Sequence, residues 1–284
     1  MILVTGASGM VGREVARALR ARGLSIRLFV RSALKLPADL AGAGALAIGD
    51  FAERKSVDAA MRGVERLYLT SFDGPDAVEA QAEVIRAAKA ADVRLVVRLS
   101  APAADPQASA NYARWHGECE RLLERSGIPF VHLRPNWYMD NFLYEYGRGG
   151  VVRLPAGSAR LSFVDARDIA AVAVEALLEP GHAGRTYAPT GPAALSHEEV
   201  VAELSRASGR PYRYESLLLD DYAEELRAGA TPDWWIEEMV DLIERLRRGE
   251  NEPTTDHVEH VVGRASIAFA QFARDHAQTL RTRL

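Results

Sequence analysis

The stretch that decides the fold is "VTGASGMVGREVARAL", residues 4–19. A short apolar run leads into three glycines at intervals of three, and the glycines lead into a helix-like pattern. Glycines at such a junction permit a tight turn and the close approach of a pyrophosphate, and the first turn of the helix offers free N–H groups to the anion. We therefore predict a strand, a phosphate-binding loop and a helix. The predicted phosphate contacts are Gly6, Ser8, Gly9, Met10, Val11 and Gly12.

Short apolar runs alternate with helical patterns through the first half of the chain, which is typical of a parallel sheet. The predicted strands are 2–5, 25–30, 45–50, 66–71, 94–100 and 130–135. After Pro135 the alternation loosens and helical patterns dominate. The fold class is thus α/β, a Rossmann-type doubly wound parallel sheet with a smaller, mainly helical C-terminal substrate part. We predict a nucleotide-binding domain over 1–190 and a cap over 191–284, to which 137–158 contributes.

Composition narrows the class of protein. The 284 residues are 48% hydrophobic and 26% charged with a net charge of −4, which is ordinary for a globular enzyme and gives no reason to expect nucleic acid or a membrane as partner. Cys119 is the single cysteine, so an intramolecular disulfide and a thiolate metal cluster are excluded, and no other spacing predicts a metal site. No leader or apolar span is visible, and we expect a cytoplasmic protein, monomer or dimer.

The end of the second strand indicates which dinucleotide binds. It reads "LFVRSALK" (28–35), with arginine and lysine and no carboxylate, so a 2′-phosphate is favoured over a free ribose hydroxyl and the predicted cofactor is NADP(H). The alternative is that these cations are solvated surface charges. Other strand ends would flank the adenine and the nicotinamide ribose, or be turn residues. The predicted contacts are Arg31, Ser32, Lys35, Asp50, Phe51, Thr70, Ser71 and Phe72.

Four stretches carry a resemblance to a known family: residues 4–19, "ERSGIPFVHLRPNWYMDNF" (124–142), the run from 163 to 211 beginning "FVDARD", and "FAQFARDHA" (269–277). With them the chain resembles the NmrA-like NAD(P)H-binding group in the atypical branch of the short-chain dehydrogenase/reductase superfamily. That group includes quinone reductases, a triphenylmethane dye reductase and a transcriptional co-regulator that binds the dinucleotide. The resemblance implies that Pro135 and Asn136 form a turn near the nicotinamide.

The resemblance also implies catalytic positions. The wider superfamily uses a serine near the end of the fifth strand, a tyrosine on the next helix and a lysine four residues after the tyrosine. This chain has Ser100, Tyr112 and, in place of the lysine, His116. A neutral histidine would do little to lower the pKa of the tyrosine, but histidine is itself suited to general acid catalysis near neutral pH. We predict that His116 or Tyr112 donates the proton, with packing of the aromatic rings as the alternative.

An aromatic-rich stretch after the sixth strand predicts an apolar substrate pocket, and a tryptophan on a later amphipathic helix adds to it. A buried packing contact would have the same composition. The predicted substrate residues are Trp137, Tyr138, Met139, Asn141, Phe142 and Trp235.

The predicted function is hydride transfer from NADPH to a small, fairly apolar carbonyl, quinone or conjugated compound. Two alternatives remain at this stage. One is a regulatory protein that senses NADP(H) without turnover. The other is an isomerase, dehydratase or epimerase built on the same fold.

Overall fold

The computed structural model describes residues 1–144 and 146–282. These residues form two compact units. The first unit contains Met1–Pro135, Ala166–Pro189 and His260–Gly263, and the second contains the rest of the described residues. The chain therefore enters the second unit at Asn136, returns to the first at Ala166 and leaves it again at Thr190.

The first unit is built on a sheet of seven parallel strands. Its strands are β1 (Ile2–Thr5), β2 (Ile26–Val30), β3 (Ala45–Ile48), β4 (Arg66–Leu69), β5 (Leu95–Leu99), β6 (Phe130–Leu133) and β9 (Arg185–Tyr187). Their order is β3-β2-β1-β4-β5-β6-β9, so the direction of strand addition reverses between β1 and β4. This arrangement confirms the predicted Rossmann-type sheet, in which ligands bind outside the carboxyl ends of the strands at the reversal.

Helices cover the strands of the first unit. They are α1 (Met10–Ala21), α2 (Arg54–Met61), α3 (Ala77–Ala90), α4 (Asn111–Ser126) and α6 (Ala166–Leu178). Helix α1 packs against α6, and α3 packs against both α2 and α4. Apolar side chains from α2, α3 and α4 form one core with the strands, in which Leu67, Val96 and Leu123 are fully buried. Helix α4 ends at Gly127, whose φ of +79° is the left-handed conformation that glycine adopts without strain.

The second unit is mainly helical, as predicted. It has two small sheets, in which β7 (Val151–Leu154) pairs in parallel with β11 (Arg213–Ser216) and β8 (Arg160–Leu161) pairs antiparallel with β10 (Leu195–Ser196). Its helices are α5 (Asn141–Tyr144), α7 (His197–Ser208), α8 (Leu219–Ala228), α9 (Asp233–Arg247), α10 (His257–Val262, whose end returns to the first unit), α11 (Phe269–Asp275) and α12 (Ala277–Thr282). The sequence predicted neither β7 nor the two-residue β10.

The apolar core of the second unit is aromatic. The rings of Phe142, Phe163 and Phe269 pack edge to face at centroid separations of 5.4–5.9 Å. The imidazole of His197 is fully buried beside them and stacks on Tyr214 at 5.0 Å. None of the helices formed by the described residues has the length and apolar character needed to cross a membrane.

Candidate functional site

The glycine loop between β1 and α1 is shaped by two close approaches. Gly6 has a φ of +62°, and a Cβ on it would lie 2.4 Å from Cγ2 of Thr70. A Cβ on Gly12 would lie 2.2 Å from the carbonyl oxygen of Gly6, so α1 packs directly on the loop. Since the first N–H groups of a helix have no acceptor within it, they are available to an anion. This cradle, which any side chain would fill, fits the pyrophosphate of a dinucleotide.

Thr5 and Thr70 hold the ends of β1 and β4 together at the point where the strand order reverses. The Thr70 amide donates to Oγ1 of Thr5 at 2.8 Å. The Thr5 hydroxyl lies 2.9 Å from the Thr70 carbonyl oxygen and 3.1 Å from that of Tyr68, either of which can accept its proton. Thr5 thus positions the predicted contact Thr70, and sequence analysis did not single it out.

The predicted 2′-phosphate contacts follow β2. The side chains of Arg31 and Lys35 are exposed, and neither has an ion-pair or hydrogen-bond partner among the described residues. The hydroxyl of Ser32 accepts a hydrogen bond from the Leu34 amide and begins a short 3₁₀ turn, Ala33–Lys35. Arg31 just before this turn and Lys35 at its end, both without a partner among the described residues, suit a phosphate dianion.

The predicted adenine contacts after β3 have local partners. One Asp50 carboxylate oxygen accepts from the Ala52 amide at 3.0 Å, and the ring of Phe51 stacks on Phe29 with centroids 5.6 Å apart. The first interaction is typical of a turn, and the second is a packing contact. The adenine role of these residues stays a prediction.

A stripe of polar side chains runs along α4. Its members recur every four residues and therefore share one face of the helix: they are Tyr112, His116, Glu120 and Glu124. Residues two apart on a strand point to the same face, so Arg98 and Ser100 of β5 and its following loop both meet this stripe. The predicted pair Tyr112 and His116 is thus half of a longer array, and their rings contact each other edge-on at 4.7 Å.

Arg98 is the centre of a buried hydrogen-bond chain. Its side chain is fully buried, Nε donates to Oε1 of Gln81 at 2.7 Å, and Nη2 lies 3.2 Å from Nδ1 of His116. The Gln81 amide in turn donates to the Ser71 hydroxyl at 2.7 Å. At the other end of the chain, Nε2 of His116 lies 3.2 Å from Oδ1 of Asp73. This series of hydrogen bonds begins at Ser71 and ends at Asp73, both in the loop after β4. It therefore fixes that loop next to the point where the strand order reverses.

Burial of His116 sets the charge of its imidazole. Its side chain is 12% exposed, and burial lowers the pKa of His116. The hydrogen bond to Asp73 raises that pKa and the nearby Arg98 charge lowers it, but the net direction is down. The imidazole is therefore neutral at neutral pH.

Ser100 has a structural partner. Its hydroxyl donates to Oε1 of Glu120 at 2.5 Å, and both residues are buried. Both Glu120 oxygens also accept from the Arg134 guanidinium. Burial alone would raise the pKa of Glu120, but the bonds from Arg134 and Ser100 hold it below its ordinary value. A substrate contact by Ser100 would require this arrangement to open.

Glu120, Glu124 and His132 bring potential ligand atoms within 4.8 Å of one another. The pKa of His132 is lowered to about 4 by burial, and neither of its ring nitrogens has a hydrogen-bond partner among the described residues. Both oxygens of Glu120 are already occupied by a cation, which disfavours a second one. We therefore assign no metal to these three residues.

The predicted residues after β6 lie among packing contacts of the second unit. Asn136 is buried, its amide nitrogen donates to Oγ of Ser162 and to the Asn251 carbonyl, and its oxygen accepts from the Trp137 amide and the Asn251 side chain. A cofactor contact through this amide would have to displace one of those bonds. Pro135 ends the first segment of the first unit.

The predicted substrate residues also belong to this packing. Met139 and Phe142 are each 1% exposed in the core, and Trp137 and Trp235 pack against it. The Met139 amide donates to the Val164 carbonyl, beside a bridge between Tyr138 and Val164. Asn141 begins α5. The burial of Met139 and Phe142 favours core packing, the alternative that the sequence left open. A ligand would reach these two side chains only if the core opened.

A cleft of the first unit is lined by two of the three predicted catalytic residues, Tyr112 and His116, and Ser100 is not part of its lining. The cleft lies between the loop after β4 and the N-terminal halves of α3 and α4. Its lining includes Phe72, Asp73, Arg98, Tyr112, Trp115 and His116. Phe72 is 45% exposed at the mouth. The lining combines aromatic walls with a few converging polar groups, as small-molecule sites do, but the hollow itself has room for about one water molecule, so a substrate would enter only if the exposed Phe72 and its loop moved.

Sequence reasoning missed Arg98, Gln81, Asp73 and Glu120. One signal was present: a parallel strand covered on both faces is almost continuously apolar, so Arg98, in the middle of "RLVVRLS" (94–100), is anomalous. The i+4 spacing from His116 to Glu120 was a second signal. Nothing in the sequence indicated Gln81 or Asp73, because their contacts depend on how the loop after β4 folds.

Comparisons with known proteins agree with this geometry. A family model described as NAD(P)H-binding matches residues 6–180, more than half of the chain. An NAD(P)H azoreductase of Xenophilus azovorans is 36% identical over 98% of both proteins. A (4-alkanoyl-5-oxo-2,5-dihydrofuran-3-yl)methyl phosphate reductase of Streptomyces griseus is 38% identical, again over 98% of both. The crystal structure of an NADPH-dependent quinone oxidoreductase from Escherichia coli, complexed with NADPH, superposes with a TM-score of 0.83 at 27% identity and covers 97% of this chain and 99% of that one. The family match confirms the prediction of an NAD(P)H cofactor.

Proposed function

Because the chain belongs to the NAD(P)H-binding, NmrA-like branch of the atypical short-chain dehydrogenase/reductases, we propose that it is an NADPH-dependent reductase of a small, conjugated and fairly apolar acceptor. The family resemblance predicted from the sequence is confirmed. The two relatives compared by sequence are both named as reductases, and together they support an NAD(P)H-dependent oxidoreductase. The names of these relatives point to different substrates, an azo compound and an acyl-substituted oxo-dihydrofuran, but each of these compounds contains a reducible double bond, which supports the substrate class.

The chain's own residues would hold the cofactor in three places. The loop Gly6–Gly12 and the first turn of α1 would bind the pyrophosphate through backbone N–H groups. Arg31 and Lys35 would bind the 2′-phosphate. Thr70 and Ser71, at the end of β4, would line the nicotinamide ribose. When bound, the reduced nicotinamide supplies the hydride, so the protein has only to orient the acceptor and manage one proton.

The observation that carries the proposal is the cleft of the first unit. Aromatic side chains, Phe72, Tyr112 and Trp115, form walls that suit a flat apolar compound. His116 and Arg98 place polar hydrogens against the same space. Hydride addition to a conjugated acceptor leaves negative charge on its oxygen or nitrogen, and hydrogen-bond donors that already face that charge lower the barrier.

The cleft lacks the cation that ordinary alcohol dehydrogenases of this superfamily place four residues after the tyrosine. His116 stands there and is neutral. The nearest cation, Arg98, reaches the imidazole from the strand behind it and is fully buried. This arrangement supports reduction of a conjugated system over alcohol oxidation, because alcohol oxidation needs a base with a lowered pKa.

The test is the loss of NADPH absorbance with a panel of quinones, enones and azo dyes, measured in parallel with simple ketones and alcohols. We expect turnover with the conjugated acceptors and at least about tenfold lower kcat/KM with the simple ones, equivalent to about 1.4 kcal/mol. Tight NADPH binding with no turnover on any compound would contradict the reductase and favour a cofactor-sensing protein. Product formation without net NADPH consumption would favour an isomerase or epimerase.

A further inference from the structure

No carboxylate of the described residues is in direct contact with the buried guanidinium of Arg98. Among the described residues its partners are neutral: Gln81, the imidazole of His116 and the neighbouring thiol of Cys119. Its Nη1 is buried with no hydrogen-bond partner there. Burial of a cation without a carboxylate in contact destabilises the fold. Such a cation beside a candidate site therefore points to a functional role for its charge.

The contact with Arg98 determines which ring nitrogen of His116 carries the hydrogen. A guanidinium has only donor hydrogens and stays protonated in proteins. At a separation of 3.2 Å between Nη2 of Arg98 and Nδ1 of His116, Nδ1 must therefore present its lone pair. The single hydrogen of the neutral ring is then on Nε2, which donates to Oδ1 of Asp73 at 3.2 Å. Protonation of the ring would place an N–H and a positive charge against the N–H groups of Arg98.

We propose that Arg98 is a positioning residue that locks His116 as a neutral imidazole with its hydrogen on Nε2, and that His116 uses this N–H as a hydrogen-bond donor to the substrate and is not its proton source. The tautomer follows from the geometry alone. The contact with substrate rests on the proposed function. Asp73, whose side chain is 41% exposed, holds the N–H until the acceptor atom of the substrate replaces it.

The chemical step balances without a proton from His116. Hydride addition forms one C–H or N–H bond on the acceptor, breaks its π bond and leaves an electron pair on the conjugated oxygen or nitrogen. The Nε2–H of His116 and the charge of Arg98 stabilise that anion. The anion then takes a proton from water or from the hydroxyl of Tyr112, which lines the same cleft. His116 keeps its hydrogen throughout.

The groups that face His116 come from three elements. Arg98 reaches it from β5, Asp73 from the loop after β4, and Tyr112 and Glu120 from α4. Arg98 opposes protonation, while Asp73 and Glu120 favour it. The burial that lowers the pKa of His116 acts in the same direction as Arg98. The rate should therefore show no titration of His116 over the pH range in which a free histidine changes charge.

The first experiment needs no variant and no turnover. Long-range ¹H–¹⁵N spectra of the labelled full chain report the tautomer of each histidine, and the His116→Gln protein assigns the signals of His116. We expect the Nε2–H pattern, unchanged from about pH 5.5 to 8, an interval that spans the reference histidine pKa. The exposed His260 supplies reference signals in the same sample. A hydrogen on Nδ1, or a titration near pH 6.5, would overturn the proposal even if the protein proves to be a reductase.

The second experiment separates a hydrogen-bond donor from a proton source. The amide of glutamine can donate from about the position of Nε2 but does not titrate, whereas phenylalanine fills the space without a donor. We expect His116→Gln to keep kcat/KM within about tenfold of the wild type and His116→Phe to lose about 100-fold or more. Equal losses in both would overturn the donor role. If the wild-type protein itself turns over no acceptor, the proposed function is contradicted, but the tautomer found in the spectra is unaffected.

Arg98 is tested by the pH profile and by rescue. In Arg98→Met the pKa of the imidazole should rise above its wild-type value, because the repelling charge is gone while Asp73 and the burial remain, and the rise should be visible in the spectra and as a new limb in kcat/KM. Arg98→Lys keeps a donor and a positive charge and should suppress that limb. A titration of His116 that is the same in both variants would contradict the assignment. The wild-type spectra remain decisive if the methionine variant does not fold.

Discussion

The Ser100 hydroxyl and the Glu120 carboxylate share a buried hydrogen bond of 2.5 Å that joins the end of β5 to the middle of α4. Ser100→Ala removes the donor and leaves one oxygen of a buried carboxylate with a single partner. We expect a loss of about 1.5–3 kcal/mol in the free energy of unfolding, measured with urea, and a change in kcat of less than about threefold. Ser109→Ala, at an exposed position, is the control. Unchanged stability with a large loss of kcat would instead support Ser100 as a catalytic residue.

The contact between Gly12 and Gly6 leaves no room for a methyl group. In Gly12→Ala the new Cβ would meet the Gly6 carbonyl at 2.2 Å, so α1 or the loop must move. We expect about 1–3 kcal/mol of destabilisation and at least tenfold weaker NADPH binding, measured by fluorescence titration. Gly229→Ala is the matched control, because the nearest atom to its Cβ would be 3.4 Å away and its φ is negative. Wild-type affinity in Gly12→Ala would remove the loop from the cofactor site.

Arg31 and Lys35, which follow β2 and have no partner in the part of the chain that the structure describes, predict which dinucleotide binds. Arg31→Ala should weaken NADPH binding by about 10- to 100-fold, the value of a charge-assisted hydrogen bond to phosphate, and leave NADH binding within about threefold. Arg213→Ala, an exposed arginine of β11, should change neither. Equal losses for the two dinucleotides would refute the 2′-phosphate contact.

His197 makes the second unit sensitive to acid. Burial among aromatic rings lowers the pKa of His197 to about 4, and both ring nitrogens lack hydrogen-bond partners among the described residues. The unfolded chain takes up the proton near pH 6.5, so stability is full above that pH and falls as the pH drops from 6.5 towards 4, by up to about 3 kcal/mol.

His197→Phe should remove that part of the pH dependence, measured as urea unfolding at pH 7 and pH 4.5. His132, whose pKa is also lowered to about 4, keeps its own contribution in both proteins, so the difference between them isolates His197. Replacement of the exposed His260 by phenylalanine is the control. The same slope with pH in wild type and His197→Phe would show that the ring is protonated without unfolding.

Much of the architecture followed from local patterns. Strand β1 and the start of α1 were predicted to the residue, because apolar runs, glycines and helix periodicity are local signals. The same is true of the shared face of Tyr112 and His116, which needs only helical spacing. The partners of His116 are different, since Arg98 is 18 residues away and Asp73 is 43 residues away in sequence. Such contacts depend on strand order and loop conformation, which spacing along the chain does not specify.

The second unit shows the same limit. Its small sheets pair β7 with β11 and β8 with β10, and the sequence predicted neither β7 nor β10. The two residues of β10 are too few for a periodic pattern. The aromatic stretch after β6 was recognised as apolar, but its composition fits a pocket and a core equally well. Only packing distinguishes them, and it buries Met139 and Phe142.

The rate at which Cys119 is alkylated can report the opening of the cleft. It is the one cysteine in the chain, is 1% exposed, and its Sγ lies 3.9 Å from the Ala77 carbonyl on α3. Burial raises the pKa of this thiol, and only the thiolate reacts with alkylating reagents. Alkylation therefore has to wait until α3 and α4 separate. The alkylation rate of Cys119 therefore measures how often the two helices separate at this position. A compound that binds in the cleft should lower this rate in proportion to the fraction of time for which it is bound.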